Sequence, residues 1–298
     1  MRKIHGGTGA AERAGEKAPL LLRLAAGMAL LGIAMLFAMI LAFALPAFLQ
    51  PGPGGAFGWF WRPYQGEFGI LPMLAGSLLL SCSALLLAWP LALAVCCWTL
   101  SAAPGLLRTG TRAGIRFMTA IPTVVYGFAA VFLLTPLIRA GLGGAGRCWL
   151  AASLMLSLLV LPTMALILEA GLKPRLDRLC LGGQALGLSK LEILWFLVLP
   201  QSRKTMLAAL LLGFGRAAGD TLLPLMLAGN APQLPGALTE SLRTLTAHMA
   251  LVTANEVGGA AYNSLFTAGA LLLIINAVVS LLARRLAGRP GNLPGEQM

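Results

Sequence analysis

Arg216 and Asp220 are the residues of this chain best placed to do chemistry. Both lie in an otherwise uncharged apolar run, where an isolated charge costs about 2.5 to 3.5 kcal/mol by insertion scales. They are one helical turn apart, so they could form an intrahelical ion pair that lets both enter a membrane, or face a pathway together. Arg ahead of the acid at this spacing is the less favourable order, and a pair kept only for stability is replaceable by leucines at lower desolvation cost. The pathway reading fits better. A guanidinium presents a planar fork of donors that suits the oxygens of a phosphate. A neighbouring carboxylate can keep that cation from trapping the anion, or accept a proton from hydrogen phosphate; sulfate carries no such proton near neutral pH.

Other candidates are weaker. Thr123 and Tyr126, in the stretch IPTVVYG, offer hydroxyls to a passing anion, although packing or interhelical hydrogen bonding accounts for them better. Pro122, Pro162 and Pro224 read as helix kinks or as the shapers of broken helices around a cavity. The two histidines, His5 and His248, form no HExxH motif, which excludes a metalloprotease. Five cysteines, at 82, 96, 97, 148 and 180, fit no metal-ligand spacing and read as small buried hydrophobes. No GxxxxGK[ST] loop is present, so the chain supplies no Walker site of its own.

The elements that must position these residues follow from composition. Of the 298 residues 58% are hydrophobic and 11% charged, which is the composition of a multi-pass membrane protein rather than a soluble domain. Net charge is +12, yet the basic residues lie in loops without interleaved aromatics, so membrane topology explains them and nucleic-acid binding does not. A polar, basic tail occupies 1–23. Apolar runs at about 24–50, 70–100, 117–138, 149–168, 205–227 and 264–282 predict six transmembrane helices in an all-α membrane protein. The first run is too long for a signal-peptide core. Trp59, Trp61 and Tyr64, in the loop after it, suit an interfacial belt. Seventeen of the 22 Lys and Arg fall on the side that holds both termini, which places the termini, and the mixed-charge segment 169–204, in the cytoplasm. The domain boundaries expected are a tail at 1–23, a membrane domain at 24–285 and a second tail at 286–298. The segment 228–263 reads as a polar external loop.

Segment 169–204 reads as a helix-turn-helix bounded by Gly187 and a Leu199-Pro200 stop, suited to a groove on another protein. Gln184-Ala185-Leu186-Gly187, with Leu197 and then Leu199-Pro200, resembles the coupling-helix signature of ATP-binding cassette importer permeases: EAA, three residues, G, nine residues, I, one residue, LP. Leu197 takes the isoleucine place. The signature's glutamate falls on Leu181 and its alanines on Gly182 and Gly183, so the departure is at the residue that would make a polar contact with an ATPase. The segments at 68–95, 120–138, 215–235 and 243–251 are similar, in order, to the phosphate-importer permeases of the PstC type, which have glutamate where this chain has Asp220.

That resemblance implies a type I importer permease (MetI-like) fold in a bacterial inner membrane. It implies a second, homologous permease of the PstA type, a dimeric cytoplasmic ATPase that uses ATP and magnesium, and a phosphate-binding protein. No cofactor is expected on this chain beyond membrane lipid around it. Arg216, Asp220, Thr123 and Tyr126 would line the substrate pathway, and the helix between about Asp177 and Leu197 would receive the push of the ATPase. Molybdate or sulfate import, ATP-independent secondary transport and a membrane enzyme are the rival classes. The enzyme would need a cluster of catalytic side chains, and one intramembrane charged pair does not make one.

Overall fold

In lipid every backbone amide must find its partner within the chain, and an uncharged run of some twenty residues does so as a helix. The computed structural model describes residues 8–49, 57–256 and 259–287, and helices dominate it. Helix α1 spans Thr8–Leu49, so most of the stretch read as a polar tail is continuous with the first membrane helix; residues 1–7 lie outside the described ones. A small hairpin follows: β1, Trp61–Arg62, pairs antiparallel with β2, Glu67–Phe68. Trp59 and Tyr64 are exposed, as an interfacial belt requires. Trp61 instead sits edge-on to His248 with ring centroids 4.4 Å apart, anchoring the hairpin to the bundle.

Helix α2 spans Leu71–Ala102. One face carries Leu80, Ala84, Ala88, Ala92 and Cys96, all buried at four-residue spacing. Small side chains on that face allow close backbone approach. Helix α3, Gly105–Ala120, corresponds to the expected basic turn, and its Arg112 forms an ion pair with Glu169. Pro122 disfavours helical backbone at Ile121, which is extended (φ −73°, ψ 126°), so the third crossing begins afresh as α4, Thr123–Leu142. The apolar run from 117 had predicted an earlier start. Cys82 is exposed on α2, against the expectation of burial, whereas Cys96, Cys97 and Cys148 are buried.

Helix α5 spans Trp149–Ala185 and stays continuous through Pro162 and Pro174. Its unpaired first-turn amides are satisfied from a distance: Trp149 N–H donates to the Glu240 carbonyl and Leu150 N–H to that of Leu238, both at 2.9 Å. The helix of the fourth crossing therefore runs on past 168, into the segment expected on the cytoplasmic side. After a turn comes α6, residues 190–201, a helix with a π-helical middle that accommodates Pro200 rather than stopping at it.

The fifth crossing is not the single helix predicted over 205–227. Helix α7, Arg203–Gly219, ends at Gly219; a short α8, Leu222–Leu227, and a loop follow; and α9, Leu245–Asn255, completes the wall. Helix α10, Gly259–Ala287, shows why α7 and α9 are two halves of one crossing. Asn276 and Val279 face Gly215 of α7, and a little further along the same helix Gly269 meets Met249 and Ser264 meets His248 of α9. Residues 220–244 leave the line of the helix and return to it. Among the described residues, five helices are long and apolar enough to cross a membrane, and the broken one makes the sixth.

The excursion is pinned where α2 passes it. A methyl group on Gly76 would collide with the carbonyl oxygen of Arg243, a backbone atom that cannot swing aside. Gly76→Ala should therefore lower the melting temperature of the detergent-solubilised protein, by a free energy of about 1 to 3 kcal/mol. Gly110→Ala, into open space on α3, should leave it unchanged or raise it.

Candidate functional site

Two regions carry the residues singled out by sequence: the break in the fifth crossing and the turn between α5 and α6. At the break, α7 buries Ala209, Gly213 and Ala217 along one stripe. Leu212, Arg216 and Gly219 recur at helical spacing on the neighbouring stripe, which continues from buried Ala208 and is exposed from Leu212 onward. A guanidinium held at membrane depth on such a face requires a water-filled path or a protein neighbour beside it.

Asp220 does not continue the helix. Its backbone is extended (φ −74°, ψ 132°), so the one-turn ion pair is overturned: Arg112–Glu169 and Arg62–Glu67 are ion pairs among the described residues, and Arg216–Asp220 is not. Asp220 Oδ2 instead accepts the Leu223 N–H at 2.9 Å, capping the start of α8. The Asp220 carbonyl, released by the end of α7, accepts the Thr246 hydroxyl at 2.8 Å. Thr246 shares a hydrogen bond of 3.1 Å with Thr244, whose hydroxyl caps α9 through Ala247 N–H, while Leu245 N–H donates to Ser77 Oγ on α2 at 2.7 Å. Arg243 Nε donates to the Asn230 carbonyl at 2.8 Å and closes the loop. Thr244, Thr246 and Ser77 had no assigned role; the only signal for the two threonines was their place in the stretch RTLTAHMAL.

Helix α4 brings the remaining candidates to the same region, with the Tyr126-Gly127 stretch against Leu223 and Met226 of α8. Tyr126 itself is buried, and its hydroxyl donates to the Met118 carbonyl at 2.9 Å, satisfying the end of α3. Thr123 is half-buried in the first turn of α4.

At the second region the chain turns with two complementary caps. Leu188 N–H returns to the Gly183 carbonyl (3.0 Å) and Gly187 N–H to that of Gln184 (2.9 Å), with Gly187 at φ 80°, a left-handed helix stop. Ser189 then starts α6: its hydroxyl accepts the Glu192 N–H, and Glu192 Oε2 accepts the Ser189 N–H at 2.8 Å. The Ser189 hydroxyl also donates to Glu192 Oε2 at 2.7 Å, and this bond, with that from the Ser189 N–H, holds the Glu192 carboxyl below its ordinary pKa, so its contribution is complete above pH 4.5 and is lost as pH falls through the lowered value. Helix α6 buries Ile193, Leu194 and Val198. Gly183 is where the two arms touch, because a methyl there would strike the Ile193 side chain. The glycine that replaces the signature's alanine thus suits the close approach of Ile193. Outward, Leu181 and Leu186 are 81% and 80% exposed, Gln184 and Ala185 are exposed, and Leu197 and Leu199 lie half-buried against the core. No single helix joins Asp177 to Leu197; the turn at Gly187 divides it.

Residues 98–291 match the family model described as the binding-protein-dependent transport system inner membrane component. The chain belongs to that family. Among its relatives, the probable ABC transporter permease protein YqgH of Bacillus subtilis is 30% identical, over 77% of this chain and 75% of that protein. The phosphate transport system permease protein PstC of Xylella fastidiosa (strain Temecula1) is 28% identical over 78% of this chain and 79% of its own length. PstC of Pasteurella multocida is 27% identical over 79% and 80%. A chain of the MetNI methionine ABC transporter, solved in inward-facing conformations, shares the fold with a TM-score of 0.55 and 16% identity, covering 71% of this chain and 93% of that one. The protein is therefore a multi-pass permease subunit with the MetI-like fold: it transports rather than catalyses, and it works with a partner permease, an ATPase in a separate chain and a substrate-binding protein.

If the permease turn depends on the contact at Gly183, Gly183→Val should displace α6 and speed tryptic cleavage at Lys190 about tenfold, as a strained contact of roughly 1 to 3 kcal/mol predicts. Gly182→Ala, which meets nothing, should leave the cleavage rate unchanged.

Proposed function

We propose that this permease is half of an ATP-driven phosphate importer, pairing with a PstA-type permease and receiving phosphate from a phosphate-binding protein. The observation that carries the reading is Arg216: a guanidinium on an uncovered face of a broken membrane helix, in a chain whose relatives include PstC phosphate permeases. Discontinuous helices are where transporters place their substrate sites, because polar groups freed at the break can face a cavity. Arg216 meets the anion. Asp220 holds the break with one carboxylate oxygen and stands beside the path with the other, with Thr123 and Tyr126 behind it in the wall.

Both termini and the turn at Gly187 lie in the cytoplasm, the side rich in Lys and Arg. The exposed Leu181, Gln184, Ala185 and Leu186 dock on the ATPase, which supplies the ATP and magnesium; Leu181 makes that contact apolar where the family's glutamate would make it polar. Movement of the turn reaches the pathway by two rigid routes. Helix α5 runs unbroken from the turn to the far end of the bundle, and α6 leads directly into α7, which carries Arg216. Arg175 fastens the two together, donating to Ser202 Oγ at 3.0 Å and Thr205 Oγ1 at 2.7 Å. Closure of the ATPase dimer drives the switch only insofar as ATP binds one conformation more tightly than the other.

The test is uptake of labelled phosphate by vesicles holding the whole transporter. Uptake should require ATP and resist excess sulfate and molybdate. Arg216→Gln should abolish it while the partner subunits still copurify. Suppression by either competitor would move the assignment to another oxyanion; loss of copurification in the variant would make Arg216 a structural residue.

A further inference from the structure

Beside the break lies an open cleft of about 450 Å³, lined by Gly219, Thr221, Thr246, Ala250, Thr253 and Leu272 among others. It continues the uncovered face of α7 past Arg216, on the side away from the Gly187 turn, along α9, where Thr253 and Ala254 are exposed. No carboxylate lines it, and its polar groups are hydroxyls set in apolar walls. Their engagements differ. Thr246 is buried and committed to the Asp220 carbonyl, and Thr253 donates to the Met249 carbonyl of its own helix at 2.8 Å. The Thr221 hydroxyl, at the start of α8, is engaged by no described residue.

We infer that this cleft is a second oxyanion station on the pathway, outward of Arg216, in which Thr221 donates a hydrogen bond to the anion and Thr253 lines the rim. The inference rests on the transport reading above and adds substrate-contacting residues to it. Its chemistry differs usefully from that of Arg216. A neutral hydroxyl in an apolar wall brings no countercharge to offset the anion's desolvation, so it holds an oxyanion less tightly than a guanidinium and passes it on, while the nearby guanidinium supplies the longer-range attraction. Two sites of unequal strength in series avoid the trap that one deep cationic site would make.

The experiment uses the complete transporter in proteoliposomes with ATP inside reach of the ATPase, and compares KM and kcat for labelled phosphate in Thr221→Val, Thr221→Ser and Thr253→Val. Thr221→Val should raise KM about ten- to a hundredfold, the loss of one hydrogen bond to an ion, with kcat within about twofold. Thr221→Ser should restore the wild-type KM, and Thr253→Val should give a smaller rise. An unchanged KM in Thr221→Val, or a fall in kcat alone, would overturn the station. If Thr221→Val fails to copurify with its partners, Thr253→Val decides, and an unchanged KM there has the same meaning. ATP-dependent phosphate uptake by the wild type is read first: its absence refutes the phosphate assignment, and the same KM comparison then runs on whichever oxyanion the wild type accepts.

Discussion

A helix interrupted inside a membrane must return each freed backbone group to a partner, since an unsatisfied group in hydrocarbon costs several kcal/mol. Every other feature of the pathway side depends on how this chain meets that requirement. The carbonyl left open at the end of α7 goes to Thr246, the amide opening α8 goes to Asp220, and the amide opening α9 goes to Ser77 of α2. The loop between is closed by Leu242 N–H on the Ala228 carbonyl and by Arg243 on Asn230. With these groups partnered inside the protein, the ends of the break are pinned, and Arg216 is presented at its edge.

The same bonds explain why Asp220 is not the simple counter-ion that its spacing from Arg216 implies. A carboxylate one turn from a guanidinium on an intact helix would neutralise it and reduce its hold on an anion. Ending α7 at Gly219 turns the carboxylate toward α8, so the cation keeps its charge for the path while the acid supports the break. An acid one methylene shorter than glutamate suits this position, because capping the residue three places ahead needs a short side chain.

Much of this was legible in the sequence, and the gaps have physical causes. The long apolar runs gave α1, α2, α5 and α10 because their hydropathy alone demands a helix. The Gly187 turn was legible because a left-handed stop and a Ser-x-x-Glu cap have local signatures. The break at Gly219 was not. Residues 205–227 contain no proline before Pro224 and are apolar apart from Arg216 and Asp220, so hydropathy carries the run through; Gly219 and Asp220 are a weak local stop, and the interruption is fixed by partners distant in sequence, Thr246 and Ser77. The start of α4 was misplaced for a related reason, since hydropathy runs smoothly across Pro122 although the backbone does not. Gly183, which in isolation only weakens a helix, lies in close contact with Ile193 across the turn. Tertiary contact decided the break and the place of Gly183, and a local proline decided the start of α4.

The central claim is that the face of α7 bearing Arg216 lines an aqueous pathway in the assembled transporter. Accessibility of single cysteines, placed in a chain whose own five cysteines have been replaced by alanine or serine, tests it most directly. A membrane-impermeant thiol reagent should label Leu212→Cys and Gly219→Cys, phosphate should slow that labelling, and Ala217→Cys on the buried face should stay unlabelled. If Leu212→Cys and Gly219→Cys are as inert as Ala217→Cys in every nucleotide state, the face meets lipid or a tightly packed neighbour, and the pathway lies elsewhere.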